Sequence, residues 1–154
     1  MAINIRSKGQ RGEREIADML NSIIADICAE LGFDEETCAK ALTTVQRNQM
    51  QTAVGGNDLT NCFGMSIEVK RQENLSVGTW WKQCVASAKR NGELPVLIYR
   101  QNRKAWRIRT YVQLYYPGEG PLDYVEAEFD LDAFKRWFRT WVRMKLENGE
   151  GIRV

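Results

Sequence analysis

The heptapeptide LPVLIYR at 94–100 constrains the chain most. It is short, continuously apolar at its centre and lacks an alternating polar side, which suits a strand buried on both faces. Such a strand needs cover above and below, and helical patterns lie on either side of it in the chain. Upstream, GEREIADMLNSIIADICAELG carries apolar residues at 16, 19, 20, 23, 24, 27 and 31. That is one helical stripe, with Gly32 placed as the C′ residue that closes it. Asp34, followed by Glu35, Glu36 and Thr37, has the form of an N-cap with acids in the first turn, predicting a second short helix to about residue 44.

TVQRNQMQTAV alternates loosely and is expected to be a first strand, with GGND a flexible turn after it. Residues 58–62 and 65–71 are expected as strands joined tightly through Phe63 and Gly64. In SVGTWWKQCVASAKRNG, Trp80, Trp81, Cys84, Val85 and Ala88 fall at helical spacing. After the apolar strand, QNRK is turn-like, and AWRIRTYV sets Trp106 and Ile108 against Arg107 and Arg109 as a further strand. YYPGEGP has the composition of a loop, and DYVEAEF alternates again. Asp130 then caps a final helix over about 131–147, with Phe134, Trp137, Phe138, Trp141 and Val142 on one side and Lys135, Arg136, Arg139 and Arg143 on the other. Its basic face is either solvated, on a helix that simply docks, or available to nucleic-acid phosphates or a partner subunit.

A chain of 154 residues, 44% hydrophobic and 27% charged, is expected to form a single domain around one core. No apolar run approaches about 18 residues, so no transmembrane helix is expected. MAINIRSKGQRG offers no apolar signal-peptide core, so the expected location is cytoplasmic, in the cell or host that makes the chain. The cysteines at 28, 38, 62 and 84 form no CxxC pair, which favours reduced, mostly buried thiols over a zinc site or disulfides.

The chain has no histidine. That removes imidazole bases, Ser-His-Asp triads and imidazole-ligated zinc together. Catalysis, if any, must run on carboxylates, lysine, hydroxyls, thiols or a bound metal. Net charge is only +2, but its distribution is uneven. Acids gather in 13–36 and 119–132, whereas Arg100, Arg103, Lys104, Arg107 and Arg109 crowd one ten-residue stretch and a second basic cluster runs from Lys135 to Lys145. Local fields of that kind decide whether a polyanion is attracted.

One constellation stands out. In SIEVK at 66–70, Glu68 and Lys70 project from one face of a strand while Ile67 and Val69 take the other. Asp58 opens the preceding strand after GGN, so pairing of the two strands would bring Asp58 and Glu68 together, with Lys70 one pleat along. Two carboxylates without imidazole make a hard oxygen site that suits Mg²⁺ or Mn²⁺. A metal there would polarise a phosphate and acidify water, while the lysine ammonium orients the nucleophile or offsets growing charge. The competing explanation of an E-x-K on a strand is an ordinary ion pair on a half-exposed face.

KGQRGEREIADML at 8–20, GGNDL at 55–59, SIEVK at 66–70, LSVGTWWKQ at 75–83, LPVLIYR at 94–100 and WRIR at 106–109 together resemble an archaeal-type Holliday junction resolvase of the PD-(D/E)xK superfamily. The resemblance covers about residues 8–112 and leaves 113–154 as a C-terminal extension. It implies an α/β, restriction-endonuclease-like fold: a central mixed β-sheet flanked by helices, here with a C-terminal amphipathic helix. It also implies that Asp58 and Glu68 bind the metal, that Lys70 is the catalytic lysine, and that Glu13 supports the metal from the first helix. For Glu13 the alternative is an acid placed in a helix's first turn. Departures are the extra helical stretch at about 32–45 and Asn57 where the motif has proline; Gln83 lies where related nucleases can use a helix glutamine.

The implied activity is a Mg²⁺-dependent endonuclease that resolves four-way DNA junctions by paired cuts, with Mn²⁺ substituting and no small-molecule cofactor. A junction's approximate two-fold symmetry calls for a homodimer with one site per subunit. Arg6, Lys8, Arg11, Arg71, Arg103, Lys104, Arg107 and Arg109 are the expected DNA-backbone contacts. The alternatives are a PD-(D/E)xK nuclease acting on another DNA, such as a nicking or restriction-type enzyme, and a non-catalytic DNA-binding module.

Overall fold

The structure is a computed structural model that describes residues 5–48, 58–118 and 120–153. Helices α1 (Ile5–Glu30) and α2 (Glu35–Ala41) are followed by two short strands, β1 (Gln46–Arg47) and β2 (Leu59–Thr60). Then come β3 (Met65–Gln72), α3 (Val77–Asn91), β4 (Leu94–Gln101), β5 (Arg107–Tyr116), β6 (Gly120–Asp130) and α4 (Leu131–Glu147). The main sheet is mixed, in the order β3-β4-β5-β6: β3 and β4 run parallel, and the other neighbours are antiparallel. A parallel pair cannot be closed by a tight turn, and α3 supplies the crossover between β3 and β4.

The two faces of this sheet are covered differently. Ile67 and Val69 of β3, Val96 and Ile98 of β4 and Ile108 of β5 share one core with Ile16, Leu20, Ile24 and Ile27 of α1 and Phe134, Phe138 and Val142 of α4. The opposite face packs Leu97 and Tyr99 against Trp80, Trp81 and Cys84 of α3. The expectation that LPVLIYR is buried on both sides therefore holds: Val96 and Ile98 serve the large core, and Leu97 serves the small one. The α/β class and the helix-flanked mixed sheet follow directly.

Local chemistry sets the helix ends. Phe33 N–H donates to the Cys28 carbonyl and Gly32 N–H to that of Ala29, a Schellman closure that needs the left-handed φ of 77° found at Gly32. Thr37 N–H donates to Asp34 Oδ1 (2.7 Å) and Ala133 N–H to Asp130 Oδ1 (2.8 Å), so both anticipated N-caps form. α1 begins earlier than the expected basic tail allows, at Ile5. Its N-terminal turns lie close to the sheet: Gly12 is buried, and a Cβ there would stand 3.3 Å from Trp106 Cη2.

Other expectations need correction. α2 ends at Ala41, not near 44. Within the first expected strand only Gln46–Arg47 is extended among the described residues, and the GGN of the turn lies outside them. β2 does not form a ladder with β3 but pairs antiparallel with β1. The loop expected over YYPGEGP is narrower than that: β5 runs to Tyr116 and β6 starts at Gly120, leaving a turn at Pro117 and Gly118, with a register irregularity between Gln113 and Tyr115. Cross-strand hydrogen bonding outweighs local loop composition there. All four cysteines are free, and three are buried. Among the described residues no helix is long and apolar enough to cross a membrane.

Candidate functional site

β3 is an edge strand of the main sheet, and its free side is where the charged groups collect. Although Asp58 belongs to no ladder with β3, it is fastened to that edge twice. Its N–H donates to the Ile67 carbonyl (3.0 Å), and its Oδ2 accepts from Val69 N–H (2.7 Å). From the other direction Asn48 N–H donates to the Asp58 carbonyl (2.8 Å). The carboxylate is thus fixed between backbone groups and buried, at 7% exposure.

Glu68 sits between those two anchor residues of β3, at 8% exposure, and its carboxyl hydrogen-bonds that of Asp58. Two acids sharing a buried site cannot both ionise cheaply. Burial first, and the Asp58 charge second, push the Glu68 carboxyl up to about 8, against the pull of nearby Lys70. The α3 residue facing this spot is buried Cys84, whose Sγ–H donates to the Ser66 carbonyl (3.7 Å). Burial, then the charge of Glu68, raises its thiol pKa, so it stays a neutral wall. Gln83, one residue earlier, is exposed and takes no part in that wall.

Glu13 reaches the same neighbourhood from α1. It is buried at 8% exposure, and its pKa is raised by burial, partly countered by its hydrogen bond with Arg47; Asp58 pushes it up and Lys70 pulls it down. Arg47 Nε donates to Glu13 Oε2 at 2.7 Å. Nothing in the local pattern points to this partner, which stands in a loosely alternating stretch. Its placement has a physical cause about two helical turns further along α1. Asn21 Nδ2 donates to the Val45 carbonyl (2.9 Å) and Asn21 Oδ1 accepts from Val45 N–H (2.8 Å), so a single buried amide sets the path of the chain entering β1. Arg47 follows two residues later.

Asp58 and Lys70 therefore act on the ionisation of both Glu68 and Glu13, Asp58 raising the pKa and Lys70 lowering it in each case. Among the described residues, however, no three His, Cys, Asp or Glu groups converge as a set able to hold a metal ion. The arrangement is a carboxyl pair with Glu13 turned to Arg47. That pair is a hard, dianion-capable donor set in a dry setting, and a divalent cation is the species whose charge would offset its repulsion.

The basic residues divide into three groups. Lys8, Arg71 and Arg103 line a recess of about 430 Å³ with Glu73, Gln101 and Asn102. Arg107 and Arg109 lie across the sheet and face Glu128 at 4.0 Å and 3.4 Å; Arg109 also lies over the Trp81 ring, and Tyr99 Oη donates to the same glutamate (3.0 Å). Arg11 and Lys104 are exposed, while Arg6 lies in the first turn of α1. On the basic face of α4, Arg139 and Arg143 both pair with Glu30 at the end of α1, and Arg136 is exposed.

The family model described as "Phage putative PDDEXK endonuclease" matches residues 4–145. No curated protein matches the chain.

Proposed function

The chain belongs to that family of phage PDDEXK endonucleases, and from this premise we propose that it is a divalent-metal-dependent endodeoxyribonuclease acting at four-way DNA junctions. The observation that carries the catalytic part is the buried Asp58–Glu68 pair with Lys70 beside it on the edge of β3. Asp58 and Glu68 would hold Mg²⁺ or Mn²⁺, which would supply polarisation of a phosphodiester and a more acidic water. Lys70 presents its ammonium to the attacking water or to a non-bridging phosphate oxygen, where developing charge is greatest. Cys84 and the α3 tryptophans exclude bulk water from one side. Glu13, steadied by Arg47, would support the cation from α1 through water.

The junction reading rests on the order and spacing of the motifs over residues 8–112. Resolution needs two cuts in opposed strands, which a homodimer delivers through a two-fold axis. In support, the β5–β6 hairpin exposes Leu114, Tyr115, Tyr124 and Val125, an apolar surface of the kind that meets a partner.

Incubation of a synthetic four-way junction and a matched linear duplex, with and without Mg²⁺, tests both parts. Paired nicks in the junction only, and only with metal, are expected. Equal cutting of the duplex would replace the junction by a broader DNA substrate. Full-rate cleavage by an Asp58→Asn protein would remove the metal role from this site.

A further inference from the structure

The recess lined by Lys8, Arg71 and Arg103 is separate from the carboxyl pair, and its chemistry is opposite. Three cations face one carboxylate there, Glu73, and Glu73 is exposed. Among the described residues, Arg71 Nε and Asn102 Oδ1 are buried without a hydrogen-bond partner. A buried guanidinium N–H with no acceptor is costly, and an anion entering the recess would satisfy it. The Asn102 amide, turned about its last torsion, offers N–H donors to the same anion. Neighbouring Arg100 has its Nη1 3.9 Å from Glu15 and its guanidinium over the Trp106 ring (5.3 Å), although its Nε too is buried and unpartnered among the described residues.

The backbone adds a second, independent sign. Arg103 holds a left-handed φ of 64° in the turn closed by Lys104 N–H on the Gln101 carbonyl (3.0 Å). Glycine or asparagine would occupy that conformation at lower cost. A long cation kept where its backbone is disfavoured points to work done by its side chain.

We propose that this recess is a phosphate-binding subsite that grips the DNA backbone away from the cleaved bond. The inference rests on the nuclease reading and extends it to a second point of contact. Arg71 follows Glu68 by three strand residues, which spans ~10 Å, and Lys8 precedes Glu13 by five helix residues, ~7.5 Å along the axis. The gripped phosphate is therefore a neighbour of the scissile one and not the scissile one itself. Guanidinium forks and an ammonium recognise phosphate oxygens without reading bases, so the grip is independent of sequence.

The test is fluorescence anisotropy with a labelled linear duplex and a labelled four-way junction in EDTA, over a range of KCl concentrations. The proteins are the wild-type full chain, Arg103→Gly, and Lys8→Gln/Arg103→Gly. The double variant should bind both DNAs several-fold more weakly, with the slope of log K against log salt shallower by about 0.9, the value for one lost phosphate contact. Arg103→Gly should melt no lower than wild type, because glycine relieves the left-handed residue. Unchanged affinity and slope in the double variant would overturn the subsite while leaving the nuclease reading in place. So would weaker binding explained by a lower melting temperature of Arg103→Gly. A wild-type protein that neither binds nor cuts any DNA would instead bring down the nuclease reading itself, and the subsite with it.

Discussion

Two charged regions of this molecule look alike in sequence and behave as opposites in the fold. Along α4, Arg139 and Arg143 find Glu30, Lys145 lies near Glu150 (3.9 Å) and over Trp141, and all these groups are at least partly exposed. On the edge of β3, Asp58 and Glu68 are buried against each other, and two acids share one site. In α4, Arg139, Arg143 and Lys145 each have an opposite charge nearby within the chain, so that part of the helix is explained by docking. At the β3 edge the two acids are reconciled by a proton that Glu68 keeps up to about pH 8, and repulsion appears once that proton leaves. A buried acid pair held together by a proton, more than the presence of charge, is what sets this edge apart from α4.

The sharpest way to break this comparison is to remove one acid of the pair. Asp58→Asn keeps an oxygen for Val69 N–H but loses the charge. Cleavage in Mg²⁺ should fall on the order of 10³-fold, since several kcal/mol of metal-derived stabilisation are lost at about 1.4 kcal/mol per factor of ten. The same variant should melt higher than wild type in EDTA above about pH 8, where Glu68 of the wild type is ionised against the Asp58 charge. Activity and stability moving in opposite directions is the signature; a fall in both would mean that Asp58 is a structural residue.

The second prediction concerns pH. The Glu68 carboxyl is raised from 4.5 to about 8 in the folded protein. A group whose folded pKa exceeds its unfolded one contributes stability below the unfolded value and loses it as pH climbs through the folded value. In EDTA the melting temperature should therefore decline between about pH 4.5 and 8, and Glu68→Gln should flatten that decline. Metal binding must displace the proton, so apparent Mg²⁺ affinity should strengthen as pH approaches about 8. Thermal melts and calorimetric metal titrations across that window check both halves. A profile unaltered by Glu68→Gln would locate the titrating group elsewhere.

Much of this site was legible because its signals are local. Period-2 alternation puts Glu68 and Lys70 together regardless of fold, and Asp58 is separated from β3 only by a short turn. The α4 boundaries were equally readable, from an N-cap aspartate and an aromatic stripe. What escaped depends on residues far apart in the chain. Arg47 meets Glu13 only because Asn21 fixes Val45, and Glu30 answers Arg139 and Arg143 across more than a hundred positions. The continuation of β5 and β6 through an apparent loop reflects pairing between strands, which no window along one strand contains.

Arg47 sharpens the contrast, because it is an opposite-charge pair placed beside the like-charge one. Arg47→Met leaves Glu13 buried with its acceptor unmet, and a loss of about 2 kcal/mol is expected in urea unfolding. Glu13→Gln combined with Arg47→Met should recover most of it, since neither charge then lacks a partner. If Glu13 serves the metal's water, Glu13→Gln alone should reduce cleavage more than its effect on stability explains. Equal activity in both single variants would assign the pair to architecture.

The smallest effect belongs to α4. Desolvation pushes the Glu30 carboxyl up, but the hydrogen bonds and charges of Arg139 and Arg143 together outweigh it and hold the group below the usual carboxylate range, although it is open to solvent. Exposed ion pairs are weakened by competing water and by salt. Glu30→Gln should lower the melting temperature slightly in dilute buffer and not at all in about 1 M salt, where the screening length shrinks to ~3 Å. It should leave cleavage unaffected, because no residue of the β3 edge contacts it. The informative reading is the DNA affinity of this variant: releasing Arg139 and Arg143 frees two cations on one helix face. Tighter, more salt-sensitive DNA binding by Glu30→Gln would show that these arginines can reach phosphate once released, and that Glu30 restrains them. Unchanged binding confines α4 to docking, and leaves the β3 edge and its neighbouring basic recess as the DNA-facing side.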